Sequence, residues 1–146
     1  MNNTVIVYAS THHGNTEKLV QAIAAEYPVD LVNIAADGTG DLSAYERIGI
    51  ASGVAFGKYY PEMLAYLSEH LPEDKKVFFI HTAGKPEEKQ CAAAKETAGS
   101  RHCECLGVFC CKGYDTYGPF KLIGGLNRSH PDAEDIAAAK QFYADL

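Results

Sequence analysis

Apolar residues along this chain fall into two alternating patterns. Short, near-continuous apolar runs occupy residues 5–9, 29–34, 47–52, 77–81 and 105–111. Runs of that length, bounded by turn-forming residues, predict strands buried on both faces. Between them, apolar residues recur every three or four positions, as helices require. Leu19, Val20, Ile23 and Tyr27 follow the first run; Tyr60, Met63, Leu64, Leu67 and Leu71 follow the third. Pro61 is tolerated in the first turn of that second helix and Pro72 ends it. A third helix, residues 87–98, opens on two acids and closes on Gly99. A fourth opens at Pro131 and turns Ile136, Ala139, Tyr143 and Leu146 inward, with Asp132, Glu134 and Asp135 complementing its N-terminus. Residues 36–41 read as a surface loop, and a longer loop with Gly113, Gly118, Pro119, Gly124 and Gly125 precedes the last helix. Strands alternating with helices imply an α/β fold whose parallel sheet is covered on both faces.

Composition narrows this picture. The 146 residues fit a single domain, residues 1–146, able to bury about two thirds of its unfolded surface. A formal charge of −6 argues against a nucleic-acid partner. No apolar stretch approaches the ~20 residues of a membrane span, and no charged-then-apolar leader opens the chain, so a cytoplasmic protein is expected. Five Cys, an odd number, all between residues 91 and 111, point to reduced thiols rather than a disulfide framework. They lack Cys-x-x-Cys spacing, and adjacent Cys110 and Cys111 in a strand face opposite ways, so no metal site is expected.

The chemistry concentrates between the first strand and the first helix, in Ser10, Thr11, His12, His13, Gly14, Asn15 and Thr16. A loop of small, hydroxylated residues that closes as a helix begins aims amide N–H groups, a helix dipole and hydroxyls at one point, which suits an anion. It contains no Lys or Arg, which excludes a nucleotide-hydrolysing loop, and one Gly is too few for a dinucleotide-binding turn. A phosphatase loop would need Cys where Ser10 stands. Two readings remain: a phosphomonoester held as a permanent ligand, or a structural turn with a Thr at the N-cap.

The run from Ser10 to Thr16 resembles the Ser/Thr-x-Thr-Gly-x-Thr phosphate loop of flavodoxins, most closely at Gly14-Asn15-Thr16. The resemblance implies a three-layer, doubly wound five-stranded parallel sheet in the order 2-1-3-4-5, with ligand at the carboxyl ends of strands beside the switch point. A response-regulator receiver shares that order but needs acids where this chain has Ser10-Thr11 and Ser52-Gly53. The resemblance further implies that the FMN phosphate lies on residues 10–16. It places Phe56-Gly57 beside the flavin ring with Val54, Ala55 and Lys58 around it, and Thr82, Ala83 and Gly84 at the pyrimidine edge. Tyr59 and Tyr60 are further stacking candidates, Tyr60 reading more naturally as helix-start packing. His81 reads as a hydrogen-bonded structural residue. The chain departs from the family after the fourth strand, where the Asp-Ser-x-Tyr stretch is absent and no aromatic lies between His81 and Cys91. Residues 109–119, rich in Gly and aromatics, either fold over the site or make a surface crossover.

The function implied is noncovalent FMN binding and electron transfer between larger redox proteins. The alternative is an FMN-dependent oxidoreductase similar to the flavodoxin-like protoporphyrinogen oxidase, with residues 114–125 building a substrate pocket.

Overall fold

A computed structural model describes residues 2–10, 13–37, 40–114 and 124–146. Thr11, His12, the Gly38-Thr39 part of the first surface loop, and residues 115–123 with Gly118 and Pro119 lie outside the described residues.

Five parallel strands form the centre: β1 (Thr4–Ala9), β2 (Asp30–Asn33), β3 (Arg47–Ala55), β5 (Lys76–Ala83) and β6 (Glu104–Lys112). β4 (Lys58–Tyr59) is a two-residue strand between β3 and β5 in the chain. The sheet order is β2-β1-β3-β5-β6, with β4 paired to β3 alone. Counting only the parallel strands, this is the order 2-1-3-4-5. Central strands are apolar on both faces because each face is covered by helices. Val5, Val7, Ile48, Ile50, Val77 and Phe79 pack beneath α2 (Pro61–His70) and α3 (Ala92–Ser100), through Met63, Leu67, Ala94 and Ala98. On the opposite face, Ile6, Tyr8, Ala51, Phe78 and Ile80 meet α1 (Asn15–Glu26) and α4 (Ala133–Ala144), through Leu19, Val20, Ile23, Ala139 and Tyr143. In-register pairing keeps these alternations aligned across β1, β3 and β5, as with Val5 against Ile48 and Ile50 against Phe79.

Three boundaries differ from the sequence pattern. β3 continues past Ser52 to Ala55 because Val54 and Ala55 pair antiparallel with Tyr59 and Lys58. The third helix starts as a tight 3₁₀ turn, Glu88–Cys91, with Glu87 and Gln90 capping each other reciprocally, and becomes α-helical only at Ala92. α4 begins after Asp132 rather than at Pro131: the Asp132 carboxylate accepts from Asp135 N at 2.9 Å, and the Asp135 carboxylate accepts from Asp132 N at 2.9 Å. A side-chain cap satisfies amide donors that a Pro start leaves open, so the carboxylate fixes the boundary. No described helix is long and apolar enough to cross a membrane.

Candidate functional site

The carboxyl ends of β1, β3, β5 and β6 meet along one edge of the sheet, where each chain segment turns outward. At the end of β1, His13 and Gly14 both take left-handed φ angles, 59° and 65°, and swing the chain into α1. Gly14 occupies the N-cap and has no side chain, so it cannot satisfy the amides of the first turn. Ser10 supplies part of a cap from outside the helix: its Oγ accepts from Glu17 N at 3.0 Å. A hydroxyl that accepts one bond still has its own proton to donate.

The next two residues turn inward. Thr16 is fully buried, and its Oγ1 lies 3.0 Å from Thr82 Oγ1, pinning α1 to the end of β5. Asn15 is 6% exposed; its Nδ2 donates to the Tyr114 carbonyl at 2.8 Å, while its Oδ1 has no hydrogen-bond partner among the described residues. A buried acceptor without a donor costs on the order of 1–3 kcal/mol, so this atom faces a place where a donor is wanted.

That place is a narrow cleft, its walls including Asn15, Gly53, Val54, Tyr60, Thr82 and Tyr114. Ala83, Gly84 and Gly113 complete it. Two of its glycines are dictated by close approach. A Cβ on Gly53 would lie 2.4 Å from the Tyr60 hydroxyl, and one on Gly113 would lie 2.8 Å from Asn15 Nδ2. The Gly84 carbonyl accepts from Asn127 Nδ2 at 2.7 Å, so the chain just before α4 is tied to the cleft wall.

Beyond the cleft, β3 and β4 project as a hairpin with Phe56-Gly57 at its tip. Both tip residues have positive φ, 54° and 79°. Gly adopts that conformation freely, whereas a bulky L-residue is strained there. Phe56 is also 98% exposed. With Phe56, its neighbours Ala55, Lys58, Tyr59, Pro61 and Leu64 line a largely apolar groove on the flank of the hairpin.

The hairpin is anchored from below. The Tyr59 hydroxyl lies 3.1 Å from His81 Nδ1, and His81 Nε2 lies 2.9 Å from the Glu87 carbonyl. A carbonyl only accepts, so the proton sits on Nε2, and Tyr59 donates to Nδ1. Burial holds the His81 pKa below its ordinary value, in keeping with this neutral form. His81 is thus a fully buried structural residue. Burial likewise pushes the Cys91 and Cys110 thiols up, and Cys111 up to about 12, which leaves these three as thiols rather than nucleophilic thiolates.

The structure therefore gathers Asn15, Val54, Thr82, Ala83 and Gly84 into one cleft. Ser10, His13 and Gly14 stand at the start of α1, and Thr16 lies beneath it. Ala55, Phe56 and Lys58 border the flanking groove, with Gly57 at the tip. The cleft residue the sequence reading passed over is Gly53; Gly113 fell within the 109–119 segment that could fold over the site, and Tyr60 was a stacking candidate for which packing was favoured. A Gly directly after a fully buried strand was the available signal for Gly53, since a tight approach explains it better than a turn.

The family model for the flavodoxin domain matches residues 5–120 of this chain. The chain belongs to the flavodoxin family. Membership places it among flavin-binding redox proteins. An uncharacterised protein of Methanocaldococcus jannaschii is 42% identical over 140 residues, 94% of this chain and 93% of its own length. The oxidised flavodoxin 1 of Bacillus cereus is 17% identical and superposes with a TM-score of 0.70 over 97% of this chain and 95% of that one. A flavoprotein of Lactobacillus acidophilus, solved in complex with FMN, has 18% identity and a TM-score of 0.55 over 75% of this chain and 93% of its own. At these identities the two structures establish the flavodoxin fold.

Proposed function

We propose that this chain binds FMN noncovalently and carries electrons between larger redox proteins. The observation that carries the reading is the buried Asn15 Oδ1, an acceptor without a donor among the described residues, in a cleft beside a helix N-terminus that Ser10 caps only in part. FMN fits that pairing: its phosphate is a dianion, its sugar chain offers hydroxyl donors, and its ring is flat and apolar. A bound flavin supplies electron transfer, and the protein supplies position and electrostatics. Ser10 keeps a hydroxyl proton to donate to phosphate oxygens, and the first-turn amides of α1 face the same anion. Thr11 and His12 belong to the same proposed loop. Asn15 Oδ1 accepts from a ligand hydroxyl. Phe56, Gly57 and Lys58, with Val54 and Ala55 behind them, border the ring; Thr82, Ala83 and Gly84 close its inner edge. Reduced cytoplasmic surroundings and redox protein partners complete the proposal.

Titration of the flavin-stripped protein with FMN and with riboflavin tests it. Saturable binding of FMN, with riboflavin weaker by tenfold or more, is expected from the loss of charge-assisted bonds contributing ~1.5–3 kcal/mol each. Absence of saturable FMN binding overturns it. The groove beside Phe56 supports a second reading, an FMN-dependent oxidoreductase, because it offers a substrate apolar walls next to the ring position. Turnover driven by NADH or NADPH without an added reductase would favour that second reading over a carrier.

A further inference from the structure

Flavin rings are usually held between aromatic or apolar walls, and one wall is missing from the expected place. Between Phe79 and Phe109 the sequence contains no Phe, Tyr or Trp, so the loop after β5 has no ring to offer. The cleft nonetheless has two aromatic residues on its walls, Tyr60 and Tyr114. Tyr60 is 4% exposed and packs over Gly53, so it belongs to the floor. Tyr114 is half-buried and reaches the cleft from just beyond the end of β6.

Tyr114 is held from four directions. Its N–H donates to the His130 carbonyl at 3.0 Å, its carbonyl accepts from Asn15 Nδ2 at 2.8 Å, and its hydroxyl donates to the Gly124 carbonyl at 3.2 Å. Its ring stacks on His13 with centroids 4.0 Å apart and planes 24° from parallel. Just before it, Gly113 N donates to the Ala83 carbonyl at 3.0 Å, bringing the strap against β5. A residue so fixed gives up little conformational entropy on meeting a ligand. The unpartnered Asn15 Oδ1 belongs to the same side chain whose amide holds the Tyr114 carbonyl, so ligand and strap converge on one residue.

We propose that Tyr114, buttressed by His13, supplies the aromatic wall for the flavin ring that the loop after β5 does not provide. The inference rests on the FMN reading above. The phosphate-bearing end and the ring end of the ligand can be separated by titrating FMN and lumiflavin, the ring system without sugar or phosphate, against flavin-stripped protein. Tyr114→Leu is expected to weaken both ligands by the same factor, about three- to tenfold, the range of a lost aromatic pair. Tyr114→Phe should bind both within about twofold of wild type. Unchanged affinities in Tyr114→Leu overturn the proposal. So does a loss confined to FMN, which would assign Tyr114 to the sugar-phosphate end. The chain has no Trp, so Tyr114→Trp gives an independent reading should the Leu variant misfold. A charge-transfer shoulder on the red side of the bound flavin's absorption is expected, and its absence counts against the contact. If wild type binds neither FMN nor lumiflavin, the FMN reading itself fails, an outcome distinct from equal binding by wild type and Tyr114→Leu.

Discussion

At the scale of single residues, the polar groups buried under the site carry more of the structure than the apolar ones around them reveal. The Thr16–Thr82 hydroxyl pair joins the start of α1 to the end of β5 where neither hydroxyl reaches water. Thr16→Val keeps the shape and strands the Thr82 hydroxyl, so a loss of ~1–3 kcal/mol is expected in urea unfolding. Thr16→Ser should recover most of it, and a neutral Thr16→Val would show that the pair contributes nothing. His81 predicts a pH dependence. Its folded pKa lies below the unfolded value, chiefly because burial penalises the charged form. The unfolded chain therefore binds the extra proton first. Stability from this group is fully present above about pH 6.5 and falls as pH drops below that unfolded pKa. Urea midpoints measured between pH 8 and pH 5 should decline for wild type, and His81→Gln should flatten that decline. An equal slope in both proteins would assign the effect elsewhere. In the sequence His81, at a strand end, could face the ligand, with a hydrogen-bonded structural role favoured; its partners, Tyr59 and the Glu87 carbonyl, were invisible because they come together only through the hairpin and the turn before α3.

At the scale of elements, the strands and helices were legible wherever a pattern ran for five residues or more. The β3–β4 hairpin was not, because two residues of strand carry no period and the tip lacks the usual Asn-Gly or Gly-Gly signal. Phe56 at the first tip position is the reason, and it makes the element a place where stability and function pull apart. A non-Gly residue with φ near 54° is strained, and a 98% exposed Phe gains nothing from the core in return. Phe56→Asn, which tolerates the left-handed region, should raise the stability of the flavin-free protein by ~0.5–1 kcal/mol. The same substitution should weaken FMN severalfold if the ring borders the flavin. Opposite signs in the urea midpoint and the FMN titration are the expected signature. A variant that loses stability would mean that the tip is not strained, and unchanged FMN affinity would remove Phe56 from the site. The end of β6 was half legible: glycines and aromatics in residues 109–119 left a fold-over and a surface crossover both open, and of that loop the structure describes Tyr114, tethered to Asn15 and His13.

At the scale of the whole molecule, the alternation of strands and helices implied a parallel sheet covered on both faces, while its strand order came only with the resemblance of Ser10 to Thr16 to the flavodoxin phosphate loop. What alternation does not contain is how far the carboxyl edge depends on a ligand to complete it. Along that edge lie a helix end that Ser10 caps only in part, an Asn15 acceptor without a partner among the described residues, and a strained, exposed Phe56. Each is a local cost, and the rest of the fold, with its two continuous apolar layers, offsets them. A ligand that satisfies these groups binds the folded state and not the unfolded chain, so it must stabilise the fold by mass action. At a free concentration one hundred times its dissociation constant the gain is ~2.7 kcal/mol. For a domain of this length that corresponds to a rise in melting temperature of roughly 5–15 °C. FMN should produce a shift of this size, and riboflavin at the same concentration should produce a clearly smaller one, because the α1 terminus goes unanswered without the phosphate. Ser10→Ala should shrink the FMN shift towards the riboflavin value while leaving the riboflavin shift in place. Equal shifts from FMN and riboflavin in wild type would place the stabilising contacts at the ring and deny the loop before α1 its phosphate.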